Sequence, residues 1–303
     1  MTQNDTPFGR VLTAMVTPFD HEEGLDTERL HALIDHLLSH GTNALVVSGT
    51  TGESPTLSAD EKKRLFETTV QYVKGRAPVI AGTGSYSTRE AVALSQAAES
   101  VGVNGLLVVS PYYNKPSQAD LLNHFLTVAD AVNIPIMLYN HPGRTGVNIG
   151  VDILTEMARH PNIVAIKDSS GDLVAVSEMH TRLGNDFSIY SGDDPLTLPM
   201  LTLGAQGVVS VVSHVAGNAV QAMVNAFFEG NIDQARQLHE TLLPLVQALF
   251  SAPSPAPTKA ALEMSGIATG GLRLPLQPLN KNLRQALRTV LDTTQEKLRT
   301  VNP

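Results

Sequence analysis

Ile163-Val164-Ala165-Ile166-Lys167-Asp168-Ser169-Ser170-Gly171-Asp172 decides how the rest of the chain is read. Its apolar run lacks the alternation of a half-exposed sheet and fits a short strand buried on both faces. The run ends at a lysine and passes into Ser, Gly and Asp, which favour turns. Lysine is seldom buried without a partner or a chemical use. Two readings of Lys167 stand side by side at this point. It can snorkel to water from the strand end. It can also be a catalytic amine at the C-terminal end of a parallel strand. Away from water an ammonium is disfavoured, and a neutral amine can add to a ketone to form a Schiff base.

Similar runs lie on both sides of this stretch. Strands are predicted at 11–19, 44–49, 78–82, 105–110, 134–139, 187–192 and 207–212, with the Lys167 strand sixth in order. Helical patterns separate them. Residues 26–39 place Leu30, Leu33, Ile34, Leu37 and Leu38 on one face, and Gly41 stops the helix. Ser58 followed by Glu61 forms a capping box for the next helix. Further helices are predicted at 87–100, 118–132, 150–159 and 173–183. Eight buried strands alternating with helices fit a (β/α)8 TIM barrel. An open doubly wound sheet normally carries a glycine-rich phosphate loop after its first strand, and none is present.

Strand signals stop near Ala219. Helices are then predicted at 221–228, 233–250, 258–264 and 282–298, with a proline-rich connection at 251–257. The expected organisation is a catalytic barrel over 1–225 and a small C-terminal helical domain over 226–303.

The 303 residues carry a net charge of −8 and no basic run, which argues against a nucleic-acid partner. Cysteine is absent, which removes disulfides, thiolate nucleophiles and thiolate metal sites and fits the cytoplasm. Residues 1–9 lack an apolar core, so no signal peptide is expected, and no apolar run approaches the ~20 residues needed to span a bilayer.

In such barrels the chemistry sits in the loops after the strands. Those loops hold Thr50 and Thr51, Tyr112 and Tyr113, Tyr139, Asn140 and Arg144, Lys167, then Gly192, Asp193 and Asp194. Singly, the threonines could cap a turn, the tyrosines could pack a rim and Arg144 could pair with a surface acid. Converging on one face, they suit imine chemistry. Such chemistry needs a proton shuttle, and a tyrosine on a neighbouring strand can supply one. It needs donors for a carboxylate, which a tight Thr-Thr-Gly turn offers. A second acidic substrate needs a cation, and Arg144 provides a bidentate fork.

Gly49-Thr50-Thr51-Gly52-Glu53-Ser54, Tyr112-Tyr113-Asn114-Lys115-Pro116-Ser117, Tyr139-Asn140-His141-Pro142-Gly143-Arg144-Thr145-Gly146, Ile166-Lys167-Asp168 and Ser191-Gly192-Asp193-Asp194 together resemble the dihydrodipicolinate synthase/N-acetylneuraminate lyase family, closest to its synthase branch. The resemblance runs from about Gly9 to the C-terminal helices and includes Arg273-Leu274-Pro275-Leu276. It implies a lyase that condenses pyruvate with L-aspartate 4-semialdehyde in lysine and diaminopimelate biosynthesis, with no cofactor beyond its own lysine. Lys167 would form the imine, Tyr139 would shuttle protons, and Thr50 and Tyr113 would relay them, Tyr113 reaching into a neighbouring subunit. Thr51 would hold the pyruvate carboxylate and Arg144 that of the aldehyde. The backbones of Gly192 and Val209 would line the pocket. A homotetramer, a dimer of dimers, is implied. The rivals are another pyruvate-dependent aldolase of the family and a barrel that only binds a keto acid.

The sequence departs from the family pattern in places. His141 stands where synthases commonly carry an apolar residue, and Asp168-Ser169-Ser170 replaces a more usual Glu-Ala-Thr/Ser. In the family an allosteric lysine site lies at a dimer interface. Ser54, Glu90 and Tyr112 match it, while Ala59, Lys62 and Tyr86 replace the histidines and asparagine of lysine-sensitive forms. Weak or absent inhibition by lysine is therefore expected. His36 and His40, four apart on one helix, lack a third ligand and are read as a polar face rather than a metal site.

Overall fold

The computed structural model describes residues 6–301. Residues 1–5, part of the stretch read above against a signal peptide, lie outside the described residues, as do 302 and 303.

Eight parallel strands close into a barrel in chain order: β1 (Val11–Ala14), β2 (Ala44–Val47), β3 (Val79–Gly82), β4 (Gly105–Val109), β5 (Ile136–Asn140), β6 (Ile163–Asp168), β7 (Ser188–Ser191) and β8 (Gly207–Ser210). β8 pairs back to β1, with Leu12 opposite Val209. The chain is therefore the expected TIM barrel. Side chains alternate along each strand. One set, including Leu12, Val46, Ile80, Leu107, Met137, Ala165 and Tyr190, fills the barrel interior. The other set, including Leu45, Leu106, Leu138, Ile166 and Ile189, packs against the helices. Burial on both faces is why the strands read as unbroken apolar runs.

The helices between strands are α1 (Thr27–Ser39), α2 (Ala59–Val73), α3 (Thr88–Ser100), α4 (Gln118–Asp130), the single-turn α5 (Pro142–Thr145), α6 (Val151–Met157), α7 (Leu173–Leu183) and α8 (Thr197–Thr202). α1 buries Leu30, Leu33, Ile34 and Leu37, the stripe its periodicity specifies. The Ser58–Glu61 capping box starts α2, and Ser117 with Asp120 forms a second one before α4. The first strand is shorter than predicted. Met15 N–H still reaches the Val46 carbonyl of β2, but beyond it the pairing ends: Val16 N–H goes to His214 Nε2 and Phe19 N–H to the Thr269 carbonyl. The apolar run continues there because Val16 and Phe19 are core residues, not because they are strand residues.

After the barrel come α9 (Ser213–Phe228), α10 (Ile232–Leu249), α11 (Ala256–Met264) and α12 (Lys281–Val301). α9 starts eight residues earlier than the helix predicted at 221, and it is kinked at Ala216, where φ is −142°. It runs through position 225, where the sequence reading divided the chain. α10 packs against both α9 and α12.

His214 ties the start of α9 to the segment that follows β1. It is fully buried, its Nδ1 meets the Val211 carbonyl at 2.8 Å, and its Nε2 accepts from Val16 at 3.1 Å. One ring nitrogen donates and the other accepts, which is the neutral tautomer. Burial holds its pKa down to about 4, against 6.5 unperturbed. Between those values the unfolded chain binds the proton and the folded one does not, so stability falls as pH drops. Thermal midpoints are expected to decline from about pH 6.5 toward pH 4, less steeply in a His214→Gln variant. Parallel declines in the two proteins would contradict this role.

Candidate active site

β5 and β6 pair Tyr139 opposite Lys167 and Asn140 opposite Asp168. Tyr139 and Lys167 follow Met137 and Ala165 in the inward set, so both side chains point into the C-terminal mouth of the barrel. They are 5% and 6% exposed. Lys167 Nζ lies 4.2 Å from the Tyr139 ring centroid, over the ring face. Among the described residues Nζ makes no hydrogen bond or ion pair. The other deeply buried lysine, Lys259, differs sharply. Its ammonium meets the Glu53 carboxylate at 2.7 Å and donates to the Gly271 carbonyl. One amine is spent on structure and the other is left available for chemistry.

The outward partners on the same two strands hold the frame. Asn140 donates to Asp168 at 2.8 Å and to Asn148 at 2.7 Å, while its oxygen accepts from Ile149 N–H. Asp168 also accepts from the Ser170 backbone and hydroxyl. This network ties the loop after β5 to the end of β6. Neither side chain carried a role in the sequence reading, because a buried Asn–Asp bond between strands leaves no periodic mark.

Gly192, just past β7, has a steric reason to lack a side chain. A Cβ there would stand 2.1 Å from Ser169 Oγ and 2.8 Å from Lys167 Cε. A Gly192→Ala variant must displace the lysine, and a displacement near 1 Å can cost about 10²-fold in rate. For the reaction the resemblance implies, the expected loss is in kcat with pyruvate at saturation; an unchanged kcat would contradict the packing. Val209, 1% exposed in the barrel interior, lies one residue past the Ser191–Val208 pair, beside Gly192. Asp193 is half-buried; burial raises its pKa, and the nearby Lys167 charge works the other way. Asp194 is buried and spent on structure. It accepts from the Ser210 hydroxyl and from Val211 and Val212 N–H, closing the turn after β8.

Thr50 and Thr51 form a tight turn after β2. Gly52 N–H returns to the Gly49 carbonyl and Glu53 N–H to the Thr50 carbonyl. Glu53, at φ +56°, ends the turn in the left-handed region. Its buried carboxylate is held by Lys259 on α11 and by Arg273 N–H at 3.0 Å. Lys259 and Arg273 also lie over the Phe19 ring, at 4.3 and 4.4 Å from its centroid. α11 and the segment that follows it thus grip the threonine turn, a contact absent from the sequence reading.

A cavity of about 210 Å³ opens at this end, lined by Thr50, Leu107, Tyr139, Arg144 and neighbours. Lys167 stands beside Tyr139, off its wall. Arg144 projects from α5, which begins at Pro142 and is capped by Gly146 at φ +76°. Among the described residues no carboxylate pairs with its guanidinium. Tyr113 is not brought to this cavity. It is 93% exposed at φ +75°, an uncommon conformation for a bulky residue.

A second cavity, about 530 Å³, gathers Ser54, Ala59, Lys62, Tyr86, Glu90 and Tyr112. It shares Ser54 and Tyr112 with the first. Tyr86 and Tyr112 meet edge to face at 5.4 Å. Burial lowers the Lys62 pKa, opposed by Glu90. Among the described residues no three histidine or carboxylate side chains converge as a metal site, and His36 Nε2 instead meets the His214 carbonyl at 2.9 Å.

The dihydrodipicolinate synthetase family model matches residues 7–294. The 4-hydroxy-tetrahydrodipicolinate synthase of Bacillus subtilis (strain 168) is 49% identical over 285 residues, covering 94% of this chain and 98% of that protein. The synthase of Desulforamulus reducens is 52% identical over 270 residues, 89% of this chain and 91% of its own. The crystal structure of a dihydrodipicolinate synthase from Bacillus anthracis superposes with a TM-score of 0.93 at 47% identity, covering 94% and 98% of the two chains. A lysine-bound structure from Cyanidioschyzon merolae gives a TM-score of 0.94 at 42% identity, covering 95% and 99%.

Proposed function

The chain belongs to the dihydrodipicolinate synthetase family, and on that premise we propose that it is a 4-hydroxy-tetrahydrodipicolinate synthase acting through a Schiff base on Lys167. The observation that carries the reading is the inward pairing of Tyr139 and Lys167, with Nζ unpartnered among the described residues.

The Lys167 amine adds to C2 of pyruvate, and the carbinolamine loses water to give an imine. Loss of a C3 proton gives an enamine. Its C3 attacks the aldehyde carbon of aspartate semialdehyde, which becomes the hydroxyl-bearing carbon. The amine of that substrate then adds to C2, closes the ring and expels Lys167 as free amine. Tyr139 carries protons to and from the carbinolamine and the new hydroxyl, relayed by Thr50. Thr51 and the N–H groups of its turn hold the pyruvate carboxylate. Arg144, across the same cavity, holds the carboxylate of the aldehyde. Gly192 and Val209 supply the wall behind the lysine.

Tyr113 completes the relay in a neighbouring subunit's site. Its exposure and left-handed backbone support this, because backbone strain of this kind clusters at functional positions. A homotetramer built as a dimer of dimers would supply that neighbour. The absence of cysteine fits a cytoplasmic setting, and no described helix is long and apolar enough to cross a membrane.

Free lysine is not expected to inhibit. Lys62 already places an ammonium beside Glu90, in the cavity that also holds Ser54 and Tyr112, and a second cation there is repelled. Half-inhibition by sub-millimolar lysine in a steady-state assay would contradict this.

The function is tested by offering pyruvate with aspartate semialdehyde and, separately, with sugar-derived aldehydes. Preferred turnover of aspartate semialdehyde is expected. A wide preference for a sugar aldehyde would overturn the synthase reading while leaving the imine chemistry in place.

A further inference from the structure

Arg144 is exposed, so its long side chain has many rotamers to lose when it binds a carboxylate. Something must hold it ready. His141 lies three residues earlier, as the N-cap of α5, on the same side of that single turn. The Arg144 Nε–H donates to His141 Nε2 at 3.2 Å. Because arginine is always a donor, Nε2 must be the acceptor, and the ring proton sits on Nδ1. His141 is itself fixed. Its carbonyl accepts from the backbones of Arg144 and Thr145, and its ring stands edge-on to Tyr139 at 6.0 Å.

A guanidinium can grip a carboxylate in two bidentate ways. One uses Nε with one Nη, and the other uses both Nη groups. The bond to His141 occupies Nε and leaves only the second edge. We propose that His141 is a positioning residue that commits Arg144 to bind the aldehyde's carboxylate through its two Nη groups, and so tunes the enzyme toward a short carboxylate-bearing aldehyde. This rests on the role given to Arg144 above. The ring's one side-chain hydrogen bond among the described residues is to Arg144, which lines the cavity, so His141 acts through that side chain.

The arrangement requires a neutral imidazole. A proton on Nε2 would oppose the Nε–H donor directly. The groups facing the ring argue against that proton. Burial, then the Arg144 charge on its own turn, then Lys167 on β6, hold the His141 pKa to about 4. Nδ1 is buried with no hydrogen-bond partner among the described residues, and only the residue's own backbone works in favour of the charged form, the smallest of these influences. The bond therefore stands throughout the neutral range.

Steady-state kinetics of His141→Leu and His141→Gln test the proposal. Leucine fills similar space without an acceptor; glutamine places a carbonyl oxygen near the former Nε2. His141→Leu is expected to raise the KM for aspartate semialdehyde about tenfold, the loss of roughly one hydrogen bond's worth of ordering. The KM for pyruvate and kcat should stay within about twofold, and His141→Gln should restore most of the affinity. In an Arg144→Ala background His141→Leu should add nothing further, since the two side chains act as one unit. An unmoved KM for the aldehyde, an equal loss for pyruvate, or a full extra loss without Arg144 would each overturn it. Trapping of pyruvate on Lys167 in the same variants reports on the function separately. Its failure in the parent sinks the reading of the enzyme, whereas trapping with an unmoved aldehyde KM sinks only the role of His141.

Discussion

Replacing Lys167 with alanine is expected to lower kcat/KM for pyruvate by 10⁴-fold or more, on the order seen when a catalytic nucleophile is removed. The proposed reaction uses this amine twice, to activate pyruvate as an enamine and to leave when the ring closes. The described lysine most comparable in burial, Lys259, is locked in its ion pair with Glu53 and cannot substitute. The fold should survive, because the Lys167 ammonium contributes no hydrogen bond or ion pair among the described residues. Its methylenes pack beside Gly192, so the loss is a small cavity costing about 2–3 kcal/mol. Circular dichroism should therefore remain that of the parent while turnover disappears. Activity within tenfold of the parent would remove the lysine from the mechanism.

Replacing Lys259 with methionine is expected to have the largest effect on stability. Its side chain is 3% exposed and that of Glu53 is 0%. Removing one partner leaves the other charge buried alone, which typically costs about 3–5 kcal/mol. The thermal midpoint should fall markedly at fixed protein concentration, a condition that matters because assembly also shifts it. Adding Glu53→Gln should recover much of the loss, since the orphaned charge is then gone. The consequence reaches the site. Glu53 closes the Thr50–Thr51 turn at φ +56°, and Lys259 and the Arg273 N–H are what hold its carboxylate. A loosened turn presents its donors poorly, so the KM for pyruvate should rise in both variants while the KM for the aldehyde moves less. A Lys259→Met protein as stable as the parent would show that the pair is dispensable.

The barrel was legible because parallel strands buried on both faces leave unbroken apolar runs, and Lys167 stood out as a charge closing one of them. The capping box at Ser58 and Glu61 was legible because it is local. The parts that were missed are long-range. Nothing near Glu53 in sequence announces Lys259, and nothing near Asn140 announces Asp168. The run after Ala14 misled because burial and strand pairing part company there: Val16 and Phe19 are in the core, but their N–H groups bond to His214 and Thr269. The early start of α9 was hidden by the kink at Ala216. Tyr113 carried a role only through resemblance, since on its own chain it reaches nothing in the cavity.

The central claim is a covalent bond between one amine and pyruvate. The direct measurement is to incubate the protein with pyruvate, reduce with borohydride, digest it and weigh the peptide that contains position 167. The expected result is the mass of one added carboxyethyl group on Lys167, absent when pyruvate is withheld. An unmodified Lys167 peptide from protein that still turns over pyruvate would contradict the account.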